Sequence, residues 1–349
     1  MTINLSTKNF ARSLNPTPFN LGLDLTDSGA RPNVFREVGS QAALAFDPRN
    51  LLRLVQSAEK EGVDFALIDD TFALSPAPHS PGRLDAALVL GKLAPRVRNI
   101  GLIPTISAAS YGVKEINQLV TNIDQGSTQN GGWQVGSSYI GQSNEKRKLV
   151  AVSGQNEAWK SASQTLNQLK TQNALGNAIT IIPDAPYARE VALRFADVIK
   201  IQAHSLDEAI EKRVHIQSQL NEYGRQVDQV KILTEIHVAL AVNELSAQTR
   251  LELLAELAGQ SSEKESFTFA GTSNGLITLL NQWNAAGSGH GFVLKPVSLG
   301  TDFDALVSQV IPTLKVQGGL RTGAVNTSLR NKLGLATATK KPALRVASA

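Results

Sequence analysis

Cysteine is absent from this 349-residue sequence, which excludes disulfide bonds, thiolate metal sites and cysteine nucleophiles. Aromatic residues make up only 5% of the chain. No apolar run approaches the ~18 residues that a membrane-spanning helix needs, so we expect no membrane partner. The first thirty residues also lack the charged and apolar segments of a signal peptide. Together these absences predict a cytoplasmic protein.

Charge of one sign is missing from the end of the chain, because no acidic residue follows Asp304. The overall formal charge is +4, yet residues 1–304 carry 27 basic and 30 acidic residues. Seven basic residues follow: Lys315, Arg321, Arg330, Lys332, Lys340, Lys341 and Arg345. Since no aromatic residues are interleaved with these charges, we expect no nucleic-acid partner. We predict a basic tail over 320–349 that is partly packed and partly disordered; contact with a phosphate or acidic partner is the alternative.

Hydrophobic residues form 42% of the sequence and charged residues 18%, which is typical of a soluble globular protein. Strand-like runs alternate with helical ones along the chain. Strands are predicted at 20–25, 63–71, 99–107, 131–138, 178–182, 197–202, 230–241 and 289–295, the seventh with a partly exposed end. Helices are predicted at 48–62, 83–96, 113–123, 156–170, 187–195, 205–223, 246–257, 273–284 and 303–316.

This alternation predicts a single α/β domain over residues 1–319, a (β/α)8 TIM barrel. A doubly wound sheet is the alternative, but no G-x-G-x-x-G turn follows the first strand. Polar residues collect at the carboxyl ends of the strands at 99–107 and 131–138, where ligands bind in parallel α/β proteins.

The usual catalytic motifs are missing: there is no P-loop, no H-E-x-x-H and no G-x-S-x-G. The five histidines are scattered without an i, i+4 pair, so no metal site is predicted. His79 follows the second strand in a proline-rich loop and is a candidate substrate contact. His237 and His290 are expected to be structural. Asp70 is interpreted either as a ligand contact at the strand end or as a loop cap.

Several segments, taken in order, resemble the luciferase-like flavin-dependent monooxygenases, in the branch of the nitrilotriacetate and dibenzothiophene-sulfone monooxygenases. The T-x-L-R-x-x-L-G-L box near the C-terminus is the most specific of them. The matching segments are EGVDFALIDD at 61–70, RLDAALVLGKLAPRVRNIGLIPT at 83–105, GGWQVGSS at 131–138, LDEAI at 206–210, YGR at 223–225, GFVLKP at 291–296 and TSLRNKLGL at 327–335.

The resemblance implies a TIM barrel that uses reduced FMN, supplied by a separate flavin reductase, to oxidise a small organic substrate with dioxygen. It names no catalytic residue and does not identify the substrate. It also favours a homodimer. The implied flavin contacts are Asp70, Thr105, Trp133, Gln134, Ser137 and Ser138.

The chain departs from the family pattern at several places. VKEINQ at 113–118 replaces a Pro- and Arg-containing run, and STQN at 127–130 replaces S-G-G-R. The segment after the fourth strand is shortened and lacks the family's Arg-Tyr pair. Pro183 has no N–H for a phosphate, and Asp184 would repel one. The alternative function is therefore a degenerate barrel that binds flavin weakly or not at all and acts as a partner subunit or binding protein.

Overall fold

Parallel strands dominate the computed structural model, which describes residues 17–31, 34–37, 39–40, 44, 47–69, 85–136, 139–141, 148–150, 155–258, 266–321 and 327–337. The strands of this described part are β1 (Asn20–Asp24), β2 (Phe65–Ile68), β3 (Gly101–Ser107), β4 (Gly132–Gly136), β5 (Tyr139–Gly141), β6 (Lys148–Val150), β7 (Ile179–Pro183), β8 (Val198–Gln202), β9 (Lys231–Leu240), β10 (Thr268–Gly271) and β11 (Gly291–Pro296).

Eight of these strands close into a barrel in the order β1-β2-β3-β4-β7-β8-β9-β11, with β11 returning to β1. Every pair in the ring is parallel; closure between β8 and β9 pairs Val198 with Lys231 and Gln202 with Glu235. The predicted (β/α)8 TIM barrel is therefore confirmed. The short strands β5 and β6 form a separate antiparallel hairpin between β4 and β7, which the sequence did not predict.

Helices follow the barrel strands and pack against their outer face, except the last helix, which lies at the base of the barrel. They are α1 (Pro48–Glu61), α2 (Ala86–Leu93), α3 (Val113–Gly126), α4 (Gln155–Thr171), α5 (Arg189–Phe195), α6 (Leu206–Leu220), α7 (Glu244–Ala258), α8 (Ser273–Ala286), α9 (Thr301–Ala305), α10 (Ile311–Val316) and α11 (Leu329–Lys332). A π-helical turn, Leu306–Val310, joins α9 to α10, so the predicted last helix is one continuous helical stretch. None of the described helices is long and apolar enough to cross a membrane.

Strand β9 is ten residues long, and one of its edges pairs with two different strands. Its first half pairs with β8, while His237–Leu240 pairs with β10, a strand that the sequence did not predict. Strand β11 covers the opposite edge. Every residue of β9 after Lys231 is buried, so the partly exposed end that was predicted for this strand is limited to Lys231.

The base of the barrel interior is apolar and is closed by the C-terminal segment. Leu329, Leu333 and Leu335 join inward-facing strand residues such as Phe65 and Ile103 in one buried cluster. Helix α11 is also held by ion pairing, because Arg330 lies 3.0 Å from the Asp197 carboxylate. Leu329, Leu333 and Leu335 of the tail thus pack at the barrel base. Residues 322–326 and 338–349 lie outside the described chain, and the extent of the tail and its partial disorder stay predictions.

Candidate active site at the barrel mouth

The upper barrel interior, near the carboxyl ends of the strands, is polar. Alternate residues on a strand face the same side, and the positions in phase with the apolar base residues Leu67, Ile103, Val198 and Leu233 carry polar side chains. Most of these side chains are fully buried. The interior polar residues are Asp24, Thr26, Thr105, Ser107, Gln134, Lys200, Glu235 and His237, with Lys295 partly buried beside them.

Thr105 and Gln134 lie side by side on the β3–β4 part of this interior. The two residues are register partners, and Gln134 Nε2 donates to Thr105 Oγ1 at 3.0 Å. The other amide atom, Gln134 Oε1, is buried and has no hydrogen-bond partner among the residues that the structure describes. An unpaired buried acceptor costs about 1–3 kcal/mol, so native structures keep few of them. The pair therefore offers an unused acceptor to a ligand in the barrel interior.

Trp133 does not face this interior, although it was predicted to contact flavin. It belongs to the core between the barrel and the helices and is fully buried there. Its indole Nε1 donates to Thr180 Oγ1 at 3.2 Å on the same outer face of the sheet. Because neighbouring strand residues point to opposite sides, Gln134 faces inward and Trp133 cannot. We correct its role to packing.

The remaining predicted contacts cannot be placed. Asp70, His79, Ser137 and Ser138 lie outside the described residues. Their roles in binding flavin or substrate stay predictions.

An ionic cluster occupies the β8–β9 part of the interior. Lys200 Nζ lies 2.5 Å from Glu235 Oε2, and both side chains are less than a tenth exposed. Glu235 Oε1 accepts from Gln202 Nε2 and from Ser266 Oγ, each at 3.1 Å. Burial disfavours the ionised carboxylate, but Lys200, His237 and Lys295 outweigh it and hold the pKa of Glu235 well below its usual value.

A second ion pair joins β11 to β1. Lys295 Nζ lies 3.4 Å from Asp24 Oδ2, and Thr26 Oγ1 donates to Asp24 Oδ1 at 2.5 Å. The same hydroxyl oxygen accepts from the Asp69 backbone N–H at 2.8 Å. The Asp24 carboxylate raises the pKa of Lys295, with burial opposing and Glu235 and Asp69 adding to the shift. The interior thus has a neutral half on β3–β4 and an ionic half on β8, β9, β11 and β1.

Comparison with known proteins shows which solved structures share the fold of this barrel. No model of a known protein family matches the sequence, and no curated protein matches it. EDTA monooxygenase from Chelativorans sp. BNC1 is similar in structure, with a TM-score of 0.75 and 16% identity over 91% of this chain and 98% of that one. A riboflavin lyase, solved with modified FMN and its substrate riboflavin, has a TM-score of 0.76 and 14% identity over 92% and 97%. A long-chain alkane monooxygenase has a TM-score of 0.75 and 13% identity over 91% and 95%. The chain has the luciferase-like barrel fold. Identities this low establish a shared fold, so the activity has to be argued from the site itself.

The sequence did not predict the ionic half of this luciferase-like barrel. A usable signal was present, because Lys200, Glu235 and Lys295 each interrupt an apolar strand at an inward-facing position. Opposite charges at the same phase of neighbouring buried strands predict an interior ion pair. Partner choice depends on strand register, which the sequence does not show.

Asp184, which was expected to repel a phosphate at the end of β7, has a cationic partner. Its side chain is almost fully buried, and the two carboxylate oxygens lie 2.5 and 2.8 Å from Arg189 Nε and Nη2. This bidentate pair neutralises the carboxylate. Pro183 still has no N–H to offer a phosphate.

Proposed function

We propose that this protein is a flavin-dependent oxidoreductase, a monooxygenase that uses reduced FMN and dioxygen to oxidise a small organic substrate. The observation that carries the proposal is the buried Gln134 Oε1, which lies in the interior of a luciferase-like barrel and has no partner in the described part of the chain. A flavin ring has an imide N–H and ring carbonyls, so its edge fits an amide that keeps an acceptor free. The neutral half of the mouth suits the ring because no ion pair there has to be displaced.

In this proposal the chain binds and orients the flavin, while the flavin carries the oxygen chemistry. Reduced FMN, when bound, supplies the electrons that activate dioxygen. Gln134 accepts a ring N–H, and Thr105 fixes the amide of Gln134 by accepting from its Nε2. The apolar layer below, which contains Ile103 and Ile181, excludes water from the inner side of the ring.

The second candidate is the degenerate barrel that binds flavin weakly and serves as a partner subunit or binding protein. The observation that favours it is the engagement of the cations at the described mouth. Lys200 contacts Glu235, Lys295 contacts Asp24, and Arg189 contacts Asp184. A dianionic phosphate needs donors or positive charge, and these three side chains already have carboxylate partners.

We also propose a transient flavin reductase and a homodimer as partners of the monooxygenase. Reduced flavin reacts with oxygen in free solution, so a separate enzyme must supply it to the barrel. The small organic substrate would then meet the flavin from the ionic half of the mouth.

An anaerobic titration with oxidised and with photoreduced FMN tests the proposal, with binding followed by calorimetry and flavin fluorescence. We expect reduced FMN to bind the wild-type protein. Thr105→Trp should abolish binding because the indole fills the space beside Gln134. Thr180→Val is the matched control: it removes a threonine hydroxyl from the outer face of the same sheet, so affinity should not change.

Absence of binding at millimolar flavin by a folded sample would refute the monooxygenase and favour the degenerate barrel. Equal loss of affinity in Thr105→Trp and Thr180→Val would show that the ring does not bind in the interior. The two variants therefore separate the presence of a flavin site from its location.

A further inference from the structure

Glu235 and His237 form a carboxylate–imidazole pair inside the barrel. They are alternate residues of β9 and face the same side of the strand. His237 Nε2 lies 3.3 Å from Glu235 Oε1, and both side chains are at least nine-tenths buried. Within the described part of the chain, Glu235 is the hydrogen-bond partner of this imidazole.

The carboxylate of this pair is fixed and ionised. Lys200 occupies Oε2, while Gln202 and Ser266 donate to Oε1. An ionised carboxylate only accepts hydrogen bonds. The shared hydrogen bond must therefore come from the imidazole, which places the hydrogen of neutral His237 on Nε2. The lone pair of the neutral ring is then on Nδ1, the nitrogen that Glu235 does not contact.

Charged groups surround the pair from several strands. Lys200 on β8 and Lys295 on β11 face Glu235, and Asp24 on β1 and Asp69 after β2 face Lys295. Three carboxylates and two ammonium groups leave one excess negative charge in this cluster.

We propose that His237 is the proton-accepting group of this mouth, that Glu235 positions it, and that the substrate therefore carries an acidic O–H or N–H group. This inference rests on the proposed function only in assuming that the substrate enters the mouth. The proton moves from the substrate to Nδ1, and the bonding electron pair stays on the substrate oxygen or nitrogen. The imidazolium is then stabilised by Glu235 until the proton returns to the product or to water. The step transfers no electrons.

The first experiment measures the tautomer of His237 by NMR of protein labelled with 15N-histidine. The chain has five histidines, so His237→Gln assigns the signal by its loss. We expect a bare Nδ1 and a protonated Nε2 in the neutral wild-type ring, and loss of this preference in Glu235→Gln. A protonated Nδ1 in the neutral wild-type ring, or an unchanged tautomer in Glu235→Gln, would overturn the proposal.

The second experiment needs neither flavin nor the natural substrate, and it remains informative if Glu235→Gln fails to fold. 4-Nitrophenol is added at a pH below the pKa of the free probe, and phenolate absorbance is measured. We expect wild-type protein to generate phenolate in a saturable way, His237→Asn to lose at least 10-fold of the signal, and the exposed-site control His215→Gln to keep it. Absence of phenolate with the wild type, or equal signals from His237→Asn and wild type, would refute proton acceptance by His237. If no flavin binds while the phenolate signal persists, the proposed flavin cofactor is refuted and the proposed role of His237 stands.

Discussion

Replacing Thr105 and Gln134 together should leave the protein at least as stable as the wild type while it loses flavin affinity. The double variant Thr105→Val/Gln134→Leu keeps the approximate shapes of both side chains. It removes one buried hydrogen bond, the 3.0 Å contact between Gln134 Nε2 and Thr105 Oγ1, which contributes about 1 kcal/mol. It also removes Gln134 Oε1, which no described residue pairs with and whose burial costs about 1–3 kcal/mol. We therefore expect the free energy of unfolding to be unchanged or to rise by up to about 2 kcal/mol.

Flavin binding by the double variant, in contrast, should be weaker than by the wild type. The variant offers no acceptor to a ring N–H, and the imide group would enter an apolar space. Loss of that hydrogen bond and burial of an unpaired N–H should weaken binding by at least about 1.4 kcal/mol, which is tenfold in Kd. Urea unfolding of the ligand-free protein and anaerobic titration with reduced FMN measure the two effects separately.

Two results would refute this reasoning. Destabilisation of the ligand-free double variant by more than about 2 kcal/mol would show that Gln134 Oε1 has a partner in solution. Wild-type affinity in the double variant would show that the ring binds elsewhere. The control Thr180→Val removes the Trp133 contact on the outer face, and it should lower stability by about 1 kcal/mol without changing affinity.

Three further predictions concern stability. Lys200→Met should destabilise the protein by about 3–5 kcal/mol in urea unfolding because it leaves Glu235 buried without its cation. The double variant Lys200→Met/Glu235→Leu should recover most of that loss of stability. A double variant as unstable as Lys200→Met would contradict this account. Burial, with Lys231 and Arg213, lowers the pKa of His290 to about 4, so the unfolded chain binds a proton that the folded chain does not. The free energy of unfolding should therefore fall by about 3 kcal/mol as pH drops from 6.5 to 4. In His290→Asn, the free energy of unfolding measured across this range should depend less on pH. Leu333→Ala should lower the free energy of unfolding by about 2–5 kcal/mol because the side chain is fully buried at the barrel base. A decrease below about 1 kcal/mol in urea unfolding would show that the base of the barrel does not need the C-terminal segment.

The barrel was predictable because each strand and helix carries its own periodicity. Strand β10 was missed because it is only four residues long and three of them are half-buried, which gives neither alternation nor an apolar run. The extent of burial along β9 was not predicted for the same reason, because β10 covers the half of β9 that β8 does not reach. A short strand such as β10, which pairs with part of a longer strand, is recognised from that pairing rather than from its own sequence.

The candidate site was predictable in part. Thr105 and Gln134 were implied by the family resemblance, and the structure shows them in contact in the interior. Trp133 was included with Gln134 although strand alternation places neighbours on opposite faces, so that error was avoidable. The pairing of Lys200 with Glu235 was not predictable, because it depends on the register of β8 with β9.

The most direct test of the central claim is a crystal structure of the protein grown anaerobically with reduced FMN. The account predicts the flavin ring in the barrel interior, with a ring N–H within hydrogen-bonding distance of Gln134 Oε1 and the outer-face contact between Trp133 and Thr180 unchanged. A flavin bound elsewhere, or an ordered water in place of the ring on Gln134 Oε1, would contradict it.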